Sequence, residues 1–167
     1  MLSSRHICNI NRRGIRTLLT TSKGDRSRYK YWLPIQTRWK DNDMYGHVNN
    51  TEYYSYFDTV INHFLIHKGG LNPSESTEIG LCVESGCNFY APLEFPCVVE
   101  AGLCVTYKGK SSIKYEVGLF EQNKENISAR GHFVHVFVDA KTRRPNPFPT
   151  SISDAIDTIV HNESGLK

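Results

Sequence analysis

In TEYYSYFDTVINHFLIHKGG, residues 51–70, the apolar side chains Tyr53, Phe57, Val60, Ile61, Phe64 and Leu65 recur at i, i+4, i+7, i+8 spacing. That period predicts one helix of about 16 to 18 residues with a wide apolar stripe. Asn49 or Asn50 can cap its first turn. Glu52 suits the positive end of the helix dipole, and His67 and Lys68 suit the negative end. Gly69 and Gly70 then end it.

No second pattern of that length and period follows. Upstream, Tyr29 to Trp39 places Tyr29, Tyr31, Leu33, Ile35 and Thr37 on one parity, the alternation of a strand, and Pro34 assigns it to an edge or a bulge. Downstream, Ile79–Tyr90, Cys97–Tyr107, Ser112–Glu121 and Ile127–Asp139 are β-branched and aromatic runs, separated by the turn-forming APLEFP, KGKS and QNKEN. Ser153–Val160 reads as a short closing helix. One long helix among five strands must cover one face of a single antiparallel sheet, an α+β domain.

The chain has 167 residues, 39% of them hydrophobic, enough for one domain with a real core. Its formal charge of +3 is misleading. Arg5, Arg12, Arg13, Arg16 and Lys23 lie in the first 24 residues, where no Asp or Glu occurs, so the remainder is net acidic and offers no nucleic-acid surface. Rich in Arg, Ser and Thr and free of acids, residues 1–24 have the composition of a mitochondrial presequence, with a matrix domain from 25 to 167. Their apolar runs are too short for a membrane span. The five cysteines, Cys8, Cys82, Cys87, Cys97 and Cys104, form no C-x-x-C pair and imply neither zinc nor a disulfide framework.

Immediately before the helix lies DNDMYGHVNN, residues 41–50. Asp41, Asp43, Gly46, Val48 and Glu52 fall at positions 1, 3, 6, 8 and 12 of a calcium-loop pattern. Tyr45 at position 5 offers no carboxylate or amide oxygen, and the segment before the loop is strand-like where that motif needs a helix. The calcium reading therefore gives way to carboxylates and an imidazole gathered at a helix N-terminus, where outward N–H groups favour negative charge.

The run R-W-x-D-x-D-x-x-G-H-V-N-N-x-x-Y-x-x-Y-F-D, from Arg38 to Asp58, resembles the signature of hotdog-fold acyl-CoA thioesterases of the 4-hydroxybenzoyl-CoA thioesterase type. Phe89–Leu93 is similar to that family's Y-x-x-P-L, Tyr107–Ser112 to its R-x-G-x-S-S turn, and Phe137–Asp139 with Arg143, Arg144 and Pro145 to its V-F-V-D-x-x-T-x-R-P ending. The resemblance runs from about residue 29 to about residue 150. It implies a hotdog fold, one long helix wrapped by a five-stranded antiparallel sheet, with subunits pairing sheet to sheet as a homodimer or homotetramer.

For function the resemblance implies hydrolysis of a fatty-acyl or aryl thioester to the free acid and coenzyme A, without metal or other cofactor. Asp43 aligns with the carboxylate that acts as nucleophile or general base. Gly46 shapes the turn, and N–H groups at the helix start, Asn50 foremost, would hold the oxyanion. His47 either orients the site or closes the turn, because Tyr45 stands where related plant acyl-carrier-protein thioesterases carry a catalytic Asn. Asp41 reads as structural, paired with Arg38. Glu84 is either a second carboxylate or a solvent-facing strand residue. Lys108, Lys110, Ser111, Arg143 and Arg144 are candidates for the coenzyme A end or ordinary turn residues. His132 and His135 lie on opposite parities of one strand and cannot share a metal. A non-catalytic hotdog protein binding acyl chains or a protein partner is the alternative.

Overall fold

The computed structural model describes residues 25–161; the expected presequence lies outside them. In chain order the elements are β1 (Tyr31–Gln36), α1 (Asn50–His67), β2 (Glu78–Phe89), β3 (Val98–Lys108), β4 (Ser112–Glu121), β5 (Ile127–Asp139) and α2 (Thr150–Asp157). Short 3-10 turns occupy Arg26–Arg28 and Trp39–Asp41. All five strands join one antiparallel sheet in the order β1-β3-β4-β5-β2, which leaves β1 and β2 as its edges. This is the hotdog arrangement, and Pro34 does sit on an edge strand.

α1 lies on the inner face of the sheet, against β1, β3 and β5. Asn49 caps it, its side chain accepting from the Thr51 N–H at 3.1 Å. The stripe read from sequence is buried in full, and Tyr56 joins it. Each such side chain withdrawn from water stabilises the fold by about 1.5–3 kcal/mol. Gly131 on β5 sets the depth of the helix, because a Cβ there would stand 2.2 Å from the Phe57 ring. Opposite these residues, Ile113, Tyr115, Val117 and Leu119 of β4 complete the core.

Three boundaries differ from the sequence expectation. β1 starts at Tyr31, and Tyr29 leaves its parity to lie on the outer face with Trp32, Cys104, Phe120 and Ile127. Gly102 and Gly118 make room for it there, since a Cβ on either would come within 2.8 Å of the Tyr29 side chain. α2 begins at Thr150, directly after Pro149, and Val160 is drawn into a bridge with Val105 instead. Thirdly, β2 carries a bulge between Cys82 and Glu84. One extra residue there reverses which side chains face inward beyond it.

Candidate active site

The segment before α1 is fixed from below by Asp41, which has no accessible surface. Its carboxylate accepts from the Arg38 backbone N–H at 2.8 Å, Arg38 Nε at 2.9 Å and the Tyr56 hydroxyl at 2.8 Å. Burial opposes its ionisation, but the Tyr56 and Arg38 hydrogen bonds and the guanidinium charge together hold the carboxyl below its ordinary range. Asp41 is thus a structural anchor paired with Arg38, as the sequence suggested. The Tyr56 hydroxyl was not foreseen, because nothing local separates it from the other aromatic positions of the stripe.

Above that anchor the chain folds back on itself, with Asn42 and Val48 bridged. The Asp43 N–H donates to the His47 carbonyl at 2.8 Å, and the Gly46 N–H to the Asp43 carbonyl at 3.2 Å. Gly46 has φ +83°, the left-handed region that glycine enters without strain. Oδ1 of Asp43 accepts from the backbone N–H of Tyr45 at 2.8 Å and of His47 at 3.4 Å. Oδ2 makes no hydrogen bond among the described residues, so one oxygen orients the carboxylate and the other is open to a reactant.

The loop meets the helix through Val48, which is buried and donates its N–H to the Leu93 carbonyl at 2.8 Å. Leu93 donates to the Tyr53 hydroxyl and Phe95 to Asn42 Oδ1, both at 3.2 Å, which explains why Phe89–Leu93 belongs with the loop motif. Asn50 is the first helical residue, and its N–H has no acceptor among the described residues. A free N–H at a helix N-terminus is a donor for a developing oxyanion.

His47 closes the turn with its backbone, while its half-exposed imidazole has Nε2 3.6 Å from Glu94 Oε1. Glu84 is not brought to the helix start. The bulge turns it to the outer face, where it bonds His132 Nε2 at 3.0 Å. Burial pushes the thiols of Cys87 and Cys104 up to about 12 and about 11, which leaves them poor nucleophiles.

The residues suggested for the coenzyme A end sit elsewhere in this protomer. Lys108 Nζ is committed to Asp157 Oδ1 at 2.6 Å and Ser153 Oγ at 2.8 Å, tying β3 to α2. Ser111 accepts the Phe137 N–H through its carbonyl at 2.7 Å. Arg143 is exposed in a left-handed turn with φ 59° after β5. All three lie at one end of the strands and the Asp43 loop at the other, a β3 length of about 33 Å away. One protomer does not assemble them into one site.

Two buried polar atoms on the inner face have no partner among the described residues, Nδ1 of His135 and the Tyr115 hydroxyl. Their rings meet edge to face at 5.3 Å. Sequence showed only that His135 points away from His132.

The family model described as "Thioesterase-like superfamily" matches residues 37–156. A solved protein structure from Pseudomonas aeruginosa strain PAO1 is 45% identical with a TM-score of 0.80, over 81% of this chain and 95% of that one. A gentisyl-coenzyme A thioesterase structure is 26% identical with a TM-score of 0.66, over 75% and 99% of the two chains. A 1,4-dihydroxy-2-naphthoyl-CoA thioesterase from Synechocystis, 18% identical with a TM-score of 0.69 over 76% and 95%, shares the fold. Among curated proteins none matches.

Proposed function

The chain belongs to the thioesterase-like superfamily and is a thioester hydrolase, and we propose from that premise that it cleaves acyl-CoA thioesters with Asp43 as nucleophile or general base. The observation that carries the proposal is an oriented carboxylate whose Oδ2 has no hydrogen bond among the described residues, in the loop that leads into α1, whose first N–H likewise has no acceptor among them. In the first route Asp43 Oδ2 attacks the thioester carbonyl, and the Asn50 N–H holds the resulting oxyanion. The carbon–sulfur bond then breaks, coenzyme A leaves as a thiolate that takes a proton from water, and a second water hydrolyses the acyl–Asp43 anhydride. In the second route Asp43 removes a proton from the attacking water, and no anhydride forms. Both yield a carboxylic acid and free coenzyme A, fatty-acyl and aryl groups being the two candidate acyl classes. Among the described residues no helix is long and apolar enough to cross a membrane.

The working unit we propose is a homodimer or homotetramer. β2 is a 12-residue edge with its residues mostly exposed, Val83 and Phe89 among them, and such an edge invites a second strand. A two-fold axis that keeps both helices on one face pairs two β2 edges antiparallel. That places the partner's far end beside this protomer's Asp43 loop. Ser111, Lys110 and Arg143 would then reach coenzyme A bound against the other copy, while Lys108 stays with α2. The basic, acid-free residues 1–24 support delivery to the mitochondrial matrix.

The test is a panel of short-chain, long-chain and aryl CoA thioesters incubated with the purified protein, with released thiol measured directly. Turnover of at least one class is expected. Absence of turnover across the panel by folded protein would sink the proposal.

A further inference from the structure

The C-terminal part of α1 carries a pair of imidazoles that the hydrolysis does not use. His63 and His67 are four residues apart, about one helical turn, so both side chains leave the same face with Cβ atoms about 5–6 Å apart. Their rings meet there, with centroids 4.2 Å apart and planes tilted by 44°. The helix dipole accounts for a cation at His67 in the last turn. It does not account for a second imidazole in contact with it, since two like charges at that spacing destabilise the helix.

The two rings are held differently. Nδ1 of His63 is hydrogen-bonded to the Tyr31 hydroxyl on β1, which fixes the ring against the sheet edge and leaves Nε2 without a partner among the described residues. His67 is exposed, and neither of its nitrogens makes a hydrogen bond among the described residues. His63 is itself partly exposed, so a small ion reaches both rings from solvent and needs no cavity.

We propose that His63 and His67 form a binding site for a divalent transition-metal ion of the nickel, copper and zinc group, with Tyr31 orienting His63 and water filling the remaining positions. Two imidazoles at i, i+4 on one helical face are a bidentate clamp for such an ion. An imidazole nitrogen stands about 2.0–2.1 Å from its metal, which places each ring centre about 3.2 Å away. Centroids 4.2 Å apart would then meet the ion at about 80°, nearer the right angle of square-planar or tetragonal copper and nickel than the tetrahedral angle of zinc. In the bound state the Nδ1–H of His63 donates to the Tyr31 oxygen, and Nε2 gives its lone pair to the metal. No group of three metal-ligating side chains occurs among the described residues, so the site has two protein ligands and is open. It stands apart from the thioester chemistry, because Asn50 to His63 is thirteen helical steps, about 20 Å.

The experiment titrates the full chain with nickel chloride at pH 7.5 by calorimetry, with urea unfolding in parallel, for wild type, His63→Gln, His67→Gln and Tyr31→Phe. Nickel is the probe because copper would oxidise the exposed Cys82 thiol. Wild type should bind one nickel ion per chain tightly, and its unfolding midpoint should rise with nickel concentration. Affinity should fall about tenfold or more in Tyr31→Phe and further in each histidine variant, whose midpoints should no longer respond to nickel. Absence of nickel uptake by folded wild type overturns the assignment, as does an affinity unchanged in any of the three variants. Glutamine at the exposed position 67 suits a helix, so if His63→Gln or Tyr31→Phe does not fold, wild type and His67→Gln decide.

Discussion

Replacing Asp41 with alanine removes the buried post on which the loop stands. Three donors lose their acceptor: the Arg38 backbone N–H, Arg38 Nε and the Tyr56 hydroxyl. The guanidinium side chain is 52% exposed and can turn to water, so the ion pair itself contributes little. Tyr56, at 2% exposure, has no such escape. Two unpaired groups, the hydroxyl and the N–H, at about 1–3 kcal/mol each give a loss of about 2–6 kcal/mol. Urea unfolding at pH 7 and fixed protein concentration, followed by circular dichroism, measures it. The double variant Asp41→Ala/Tyr56→Phe should recover about 1 kcal/mol, because the orphaned hydroxyl goes with it. The depressed folded pKa of Asp41 adds a sign. Its stabilisation is fully present above the ordinary value of 3.8 and is lost as pH falls through the lower folded value. Asp41→Ala should therefore flatten the acid limb of stability below about pH 4. A loss under about 1 kcal/mol, or an unchanged acid limb, would refute the anchor.

Asn50→Pro removes one N–H at a position where proline suits a helix, and Asn49 already has the extended ψ of 140° that a following proline requires. The unfolding midpoint should hold while kcat falls about 10²–10³-fold; unchanged kcat would take the oxyanion away from that N–H. Gly131→Ala should lower stability by about 1–3 kcal/mol through its clash with Phe57, read from the same urea curves. Val83→Lys puts a charge on the free β2 edge and should shift sedimentation from dimer or tetramer toward monomer. A monomeric wild type, or an unshifted variant, would contradict edge pairing.

The order of elements was legible because each carries its own period: the Tyr53–Leu65 stripe at 3.6, and the alternation Ile113, Tyr115, Val117, Leu119 at 2. Asp41, Gly46 and Asn49 were legible for the same local reason, since capping and turn chemistry act within a few residues. What sequence hid depends on contacts made across the fold. Glu84 changed faces because of a one-residue bulge that no residue type announces. Lys108, in a turn motif suggestive of substrate, is taken by Asp157, 49 residues away. His135 looked like any inward strand residue, and that its Nδ1 is buried against the Tyr115 ring with no hydrogen-bond partner among the described residues depends on packing across β4 and β5.

The central claim is that one carboxylate at a helix start performs the hydrolysis, and the most direct test is kcat/KM of Asp43→Asn against wild type on the best acyl-CoA of the panel. Asparagine keeps an oxygen for the Tyr45 N–H, so the turn should persist and the unfolding midpoint should stay close to that of wild type. The account predicts a fall in kcat/KM of at least about 10²-fold. Full activity in folded Asp43→Asn would contradict it.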